Sequence, residues 1–200
     1  MAELERRVIA QPVEARAVEG EPSRLIGYAA LFNSETEIAG MFRERINPGA
    51  FTDAVGRDDV RALFNHDANF VLGRTTSGTL TLSEDEAGLR YDVVPPDTTW
   101  ARDLMVSVAR GDISQSSFAF SVDDESWDYP KGGGMPTRTV KRATLYDVSP
   151  LTYPAYASTT VSARSLEAAK ADAAPVTEES WRVELALSRD RCRLTDAATR

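Results

Sequence analysis

Alternating apolar and polar positions run through most of this chain and predict a body built largely of strands. Residues 24–33 form a short apolar run, rich in β-formers and bounded by Asn33, which favours a buried strand over a helix. Residues 100–110 have the one clear helical spacing of apolar side chains, and Gly111 follows as a helix terminator. A second, short helix is predicted at residues 50–55. Further strands and hairpins are predicted at residues 42–48, 60–64, 72–82, 84–94 and 138–149.

The serine-rich segment 111–122 leads into a strand whose two faces differ. From Ser117 onward, Phe118 and Phe120 alternate with Ser117, Ala119 and Ser121. Because successive side chains of a strand point to opposite faces, the aromatic face is predicted to pack into a core and the hydroxyl face to remain open. Ser117 is the residue of this open face that we single out.

Composition divides the chain into three parts. Residues 1–23 are interpreted as a first strand followed by a loose lead-in, and residues 24–162 as the β-rich body. Within the body, residues 123–136 hold two prolines and three consecutive glycines, which predicts a long hairpin loop. Residues 163–200 are rich in Ala, Glu and Arg and are predicted to form a separate extension. Its predicted helical segments are residues 165–170 and 179–188.

Charge and cysteine content argue against several classes of protein. The chain has 23 Lys and Arg against 31 Asp and Glu, a net charge of −8, and no basic block, so we expect no nucleic-acid partner. The single cysteine, Cys192, excludes an intrachain disulfide and is typical of a reducing, cytosolic compartment. The single histidine excludes a His-rich metal cluster. Since no apolar run approaches the ~18–20 residues that span a bilayer, we expect no membrane partner, and we expect no metal and no cofactor.

One imidazole, one serine face and one later carboxylate supply the groups of a hydrolytic triad. A serine hydroxyl is a weak nucleophile that needs a base, and an imidazole base needs an acceptor to fix its tautomer. His66 is predicted at a strand end, in a turn formed with Asn65 and Asp67. In this interpretation Ser117 attacks, His66 acts as base and then acid, and Asp147 orients the imidazole.

The residues alone leave other assignments open. Ser114 and Ser116 compete with Ser117 for the nucleophile, and Asp67 and Asp92 compete with Asp147 for the acid. A half-buried strand whose serines face solvent, with a histidine of no catalytic role, is the plainer alternative. Leu145 and Asp147 are predicted to share one face of the strand at 138–149.

Five segments in linked order closely resemble the tailed-phage (caudovirus) prohead serine protease family. They all lie between residues 24 and 162, and together they are far more specific than any one of them. The segments are GYAALFN (27–33), ERINPGAF (44–51), LFNHD (63–67), GDISQSSFAF (111–120) and LYDVSPLTYPAY (145–156).

The resemblance implies a serine endopeptidase that acts inside the assembling procapsid, in the cytoplasm of the bacterial host. Its expected substrates are the scaffolding domain of the major capsid protein and then the protease itself. The portal and a separate scaffold protein are further candidate partners, and homo-oligomerisation is left open. The implied fold is α+β and similar to the herpesvirus maturational protease, with a mostly antiparallel, closed or partly closed β-barrel and a few flanking helices.

Carried onto the matching positions, the family's histidine falls on His66 and its nucleophile on Ser117. The acid of its Leu-x-Glu/Asp-Val-Ser motif falls on Asp147. By analogy with the herpesvirus enzymes, backbone N–H groups around Lys141 and Arg142 are the expected oxyanion donors. The alternative function is an inactive relative that binds the major capsid protein during assembly, which the charged extension 163–200 would suit.

Overall fold

The computed structural model describes residues 3–9, 12–17, 20, 22–153, 167 and 170. A first compact unit spans Met1–Leu166. In the second unit, Glu167–Arg200, the two described residues, Glu167 and Lys170, are helical. The rest of the helical segments predicted at 165–170 and 179–188 lies outside the described residues.

Eleven strands and two helices lie within the described part of the first unit, so strands dominate as the alternation predicts. The strands are β1 (Glu5–Ile9), β2 (Glu14–Arg16), β3 (Arg24–Leu31), β4 (Thr36–Ile38), β5 (Phe42–Ile46), β6 (Arg61–Phe64), β7 (Asp67–Arg74), β8 (Leu80–Glu84), β9 (Gly88–Val93), β10 (Gln115–Asp128) and β11 (Thr137–Leu151). The helices are α1 (Thr52–Arg57) and α2 (Thr99–Ala109), close to the two predicted ones.

The larger sheet is built around the long antiparallel hairpin of β10 and β11. Its strands lie in the order β1, β10, β11, β5 and β4, and β6 also pairs with β11 and carries β7. Both β5 and β6 run parallel to β11. Because β6 meets β11 at Asp147 and Val148, the turn that follows β6 lies near the C-terminal end of β11.

The smaller sheet is antiparallel and contains β2, β3, β9 and β8 in that order. Apolar side chains from both sheets and both helices join in one buried cluster. At its centre the Phe118 ring meets Phe51 edge to face at 5.7 Å and stacks on Phe120 at 4.7 Å between centroids. A single parallel bridge between Phe32 and Ile46 links the end of β3 to β5. Both sheets therefore share one core.

The predicted α+β class is confirmed, whereas the barrel is not. Across the described residues neither sheet closes on itself, and β1, β4 and β7 each end the larger sheet by pairing with one strand only. The predicted hairpin at 84–94 is confirmed as β8 and β9. The predicted hairpin at 72–82 is wrong, because β7 pairs with β6 in one sheet and β8 with β9 in the other.

The loop predicted at residues 123–136 is shorter than expected. Strand β10 continues to Asp128 and β11 begins at Thr137, which leaves 129–136 between them. Tertiary contacts account for the extra strand: the Trp127 ring lies 5.0 Å from that of Phe42, and Arg138 donates to Glu125 at 2.6 Å. These partners are distant in sequence or cross-strand, so local composition did not indicate them.

Strands also form within residues 1–23. β1 pairs with β10 in the larger sheet, and β2 pairs with β3 in the smaller one. In this pairing Val8 lies directly opposite Ser117. The N-terminal strand is therefore an immediate neighbour of the serine singled out by the sequence.

Candidate active site

Ser117 lies in the interior of the larger sheet, between two neighbouring strands. It is opposite Val8 of β1 on one side and Ser149 of β11 on the other. The next residue, Phe118, is buried in the core against Phe51. Because neighbouring residues of a strand point to opposite faces, the core packing of Phe118 holds the Ser117 hydroxyl on the outer face of the sheet.

His66 occupies the two-residue turn between β6 and β7, so its predicted position at a strand end is confirmed. Asn65 and His66 both have positive φ, 56° and 57°, as in a type I′ hairpin turn. Such a conformation costs roughly 1–3 kcal/mol for a residue other than glycine, so surrounding bonds must hold it. Asn65 supplies three: its backbone N–H donates to the Pro150 carbonyl, and its side-chain amide both donates to and accepts from Thr152.

Asp147 reaches the outer face because β11 carries one extra residue. Ala119 pairs with Asp147, but the next residue of β10, Phe120, pairs with Leu145, so Tyr146 is bulged out. A bulge reverses the alternation of faces beyond it. Leu145 therefore packs in the core while Asp147 faces outward, and the prediction that both share one face is wrong.

These three side chains form one chain of hydrogen bonds. His66 Nε2 lies 2.7 Å from Ser117 Oγ, and His66 Nδ1 lies 2.5 Å from Asp147 Oδ1. A carboxylate can only accept, so Nδ1 carries the proton and Nε2 of the neutral ring accepts from the serine hydroxyl. Nε2 is thus in position to take the Ser117 proton, and Asp147 to stabilise the resulting imidazolium.

A comparison with protein-family models identifies the family of this chain. The model described as Caudovirus prohead serine protease matches residues 11–172, which is most of the chain. The chain belongs to this family. Searches among curated proteins and among solved structures found no match. The resemblance carried by the five segments is therefore confirmed, and the family is one of serine peptidases of phage proheads.

Ser116 and Ser114 are the other candidate nucleophiles in this member of the prohead protease family. Both have partners other than His66. Ser116 faces the core, where its hydroxyl lies 2.7 Å from the hydroxyl of Tyr91. Ser114 is exposed and precedes β10, and its carbonyl accepts the N–H of Val13. Of the three serines, Ser117 is the one whose hydroxyl meets the imidazole.

The two competing carboxylates are also engaged elsewhere. Asp67 accepts hydrogen bonds from the backbone and the side chain of Asn69, within the start of β7. Asp92 accepts from Arg24 at 2.8 Å in the smaller sheet. Asp147 is the carboxylate that the fold brings to the histidine.

The hydroxyl face of β10 is covered rather than open, contrary to the prediction. Ser117 and Ser121 are 0% and 1% exposed, and the His66 side chain is 5% exposed. The histidine turn covers one end of this face, and the Tyr146 hydroxyl approaches Ser121 at 3.2 Å. Hydrogen bonds between groups shielded from water are electrostatically stronger than those in solvent, which favours a well-ordered site.

Lys141 and Arg142 lie far from Ser117, so their expected role as oxyanion donors is wrong. Ser117 is opposite Ser149, and Arg142 precedes Ser149 by seven residues of the same strand. At about 3.3 Å per residue that separation is on the order of 20 Å. Both side chains are exposed at a distant part of β11.

Sequence reasoning named Asn65 only as a turn residue and did not single out Ser149, whose hydroxyl contacts both His66 and Asp147. Ser149 follows Asp147 by two positions, so strand alternation alone could have placed both on one face. Asn65 precedes the histidine in a two-residue turn, and Asn is the residue that most often accompanies positive φ apart from glycine. Both signals were present in the sequence.

The described part of the chain has neither a metal-binding cluster nor a membrane-spanning helix. In that part no cluster of three or more His, Cys, Asp or Glu side chains could hold a metal ion. No helix there is long and apolar enough to cross a membrane.

Proposed function

We propose that this chain is an active serine endopeptidase with Ser117 as nucleophile, His66 as general base and then acid, and Asp147 as the group that orients the imidazole. The observation that carries this proposal is the unbroken chain of hydrogen bonds from Ser117 Oγ through both ring nitrogens to Asp147 Oδ1. Membership of a serine peptidase family, shown over residues 11–172, supports it.

In the first half of the proposed reaction, Ser117 Oγ attacks the carbonyl carbon of the scissile peptide bond. His66 Nε2 takes the hydroxyl proton, and Asp147 stabilises the imidazolium without itself being protonated. The imidazolium then gives its proton to the leaving amine, which leaves an acyl ester on Ser117. In the second half, His66 removes a proton from water, which attacks the ester carbonyl. The imidazolium then gives this proton to Ser117 Oγ as the ester bond breaks, which releases the carboxylic acid product and restores the free serine.

The proposed substrate is the scaffolding domain of the major capsid protein, cleaved inside the procapsid in the host cell. The support is the family, whose members belong to phage proheads. In this proposal residues 24–162, with β1 added at the edge of β10, form the protease body, and residues 163–200 are an extension for assembly or self-cleavage. The portal and a scaffold protein are secondary partners.

The test is co-expression of this chain with the major capsid protein of the same genome, read by intact mass. Wild type is expected to shorten the capsid protein, and Ser117→Ala to leave it full length. Ser116→Ala is the matched control, since it removes the neighbouring hydroxyl that faces Tyr91, and it should retain cleavage. A full-length capsid protein with folded wild type would favour the alternative, an inactive relative that binds capsid protein during assembly.

Self-cleavage is tested in the same samples from the mass of the protease chain itself. We expect wild type to lose a segment after Ala163 once the capsid protein is cleaved, and Ser117→Ala to remain at 200 residues. An intact wild-type chain beside fully cleaved capsid protein would contradict self-cleavage, while leaving the proposed activity in place.

A further inference from the structure

Ser149 lies under the histidine turn and contacts both the base and the acid of the candidate site. Its hydroxyl accepts the backbone N–H of His66 at 3.3 Å and donates to Asp147 Oδ1 at 2.9 Å. Ser149 is 0% exposed, and it is the cross-strand partner of Ser117. Nothing in the proposed reaction requires this hydroxyl to touch the substrate.

The directions of these two bonds follow from the chemistry of the groups. A backbone N–H can only donate, so the Ser149 oxygen must be its acceptor. An ionised carboxylate can only accept, so the Ser149 proton points at Asp147. The result is a closed ring of three hydrogen bonds. The His66 imidazole bonds to Asp147, the His66 backbone N–H bonds to the Ser149 hydroxyl, and that hydroxyl bonds to Asp147.

We propose that Ser149 is a positioning residue that fixes His66 and Asp147 relative to each other. Through the backbone bond it holds the positive-φ conformation of His66. Through the hydroxyl proton it holds the carboxylate oxygen that accepts from the imidazole. Its effect on cleavage rests on the proposed function, whereas its effect on the imidazole does not.

Loss of this hydroxyl is expected to act on the chemical step. In Ser149→Ala a buried carboxylate loses one donor and the His66 N–H loses its acceptor. Hydrogen bonds to charged groups correspond to about a ten- to hundredfold change in rate, so kcat should fall by about that factor. KM should stay nearly unchanged, because Ser149 does not reach the substrate.

Two comparison variants separate positioning from general damage to the sheet. Ser149→Thr keeps the hydroxyl on a β-branched side chain suited to a strand and should recover much of kcat; if it does not fold, Ser149→Cys, which keeps a weak donor, replaces it. Ser121→Ala removes an equally buried hydroxyl from the same sheet, bonded to Tyr146 instead of the site, and should leave kcat unchanged.

The decisive measurement is the proton NMR signal of the imidazole Nδ1–H, which is unambiguous because the chain has one histidine. A proton held between Nδ1 and Asp147 should give a slowly exchanging signal in wild type and Ser121→Ala. In Ser149→Ala we expect this signal to weaken or vanish through faster exchange with water. The same signal in Ser149→Ala as in wild type, or a kcat within about twofold of wild type, would overturn the proposal.

The two measurements separate failure of this inference from failure of the proposed function. If folded wild type cleaves nothing, the proposed protease activity fails, and the imidazole signal still decides the role of Ser149. If wild type cleaves and Ser149→Ala matches it in either kcat or NMR signal, the positioning role fails and the proposed function stands.

Discussion

At the scale of single residues, two adjacent serines show how position in a strand decides chemistry. Ser117 meets His66 on the outer face, whereas Ser116 pairs with Tyr91 in the core. Burial raises the pKa of Tyr91 far above its ordinary value, although the bond to Ser116 opposes this, so the phenol remains a neutral partner. The same residue type therefore has a candidate catalytic role at one position and a packing role at the next.

Ser116→Ala is expected to lower stability while leaving proteolysis intact. The buried Tyr91 hydroxyl loses its partner, which should reduce the free energy of unfolding by about 1–3 kcal/mol. Adding Tyr91→Phe should recover most of that loss, because removing both partners of a buried hydrogen bond is nearly neutral. Urea unfolding and capsid-protein cleavage measure the two effects. A folded Ser116→Ala protein without cleavage would instead make Ser116 the nucleophile.

At the scale of elements, one turn and one bulge bring the candidate residues together. The type I′ turn carries His66 back over the end of β11. The bulge at Tyr146 turns Asp147 outward while Leu145 and Val148 both stay in the core. Strand alternation predicts neither feature, because each breaks the period of two on which that prediction depends.

Deletion of Tyr146 is expected to leave Asp147 on the outer face and to retain cleavage, as is Tyr146→Ala. Without the extra residue, Leu145 and Asp147 become neighbours opposite Phe120 and Ala119, so regular alternation keeps Leu145 in the core and Asp147 outward. Tyr146→Ala keeps the extra residue and loses only the contact with Ser121. Cleavage assays, with circular dichroism to report folding, compare the two variants. A folded deletion variant without cleavage would contradict this register, in which Tyr146 is the extra residue.

Two substitutions of Asn65 separate the contribution of the turn's backbone conformation to stability from that of the side-chain hydrogen bonds to Thr152. Asn65→Ala loses both the tolerance of positive φ and the bonds to Thr152, so it should be less stable than wild type by about 1–3 kcal/mol. Asn65→Gly loses only the bonds to Thr152 and should be the more stable of the two. Thermal unfolding ranks them. An equal loss in both variants would mean that the turn conformation contributes little.

At the scale of the whole molecule, a buried ionic cluster attaches the N-terminal strand to the rest of the larger sheet. Arg7 donates to Glu44 at 2.6 Å, and Arg138 donates to Glu5 and to Glu44 at 2.9 and 3.0 Å. These four residues come from β1, β5 and β11, and all are buried. Because β1 also carries Val8 beside Ser117, the cluster helps to hold one side of the candidate site.

Glu5 is expected to make stability depend on pH in the acid range. Burial alone would raise its pKa, but the hydrogen bond and charge of Arg138 and the charge of Arg7 lower it below the ordinary value of 4.5. A lowered pKa in the folded state means that this stabilisation is present above 4.5 and is lost as the pH falls through the folded-state pKa. Urea unfolding on both sides of 4.5 measures the loss.

Glu5→Gln is the control for this pH dependence. It should reduce stability at neutral pH by about 3–5 kcal/mol, because breaking a buried ionic cluster leaves a charge uncompensated. Its stability should also fall less steeply with acid than that of wild type. The pKa of Asp59, lowered chiefly by its hydrogen bond to Arg74, affects both proteins alike and cancels in the comparison. Equal acid dependence in the two proteins would contradict the role of Glu5.

The sequence by itself determined the family, the α+β class, the main helix and the three candidate residues. Motif order, apolar periodicity and the single histidine are all local or compositional signals, so one chain is enough to read them. Only the tertiary structure decided that the serine face is covered, that the Ser149 hydroxyl bonds to both His66 and Asp147, and that β1 lies beside Ser117. It also decided that Asp147 and Leu145 lie on opposite faces of β11. These features depend on register and on contacts between distant segments, which no local pattern of residues encodes.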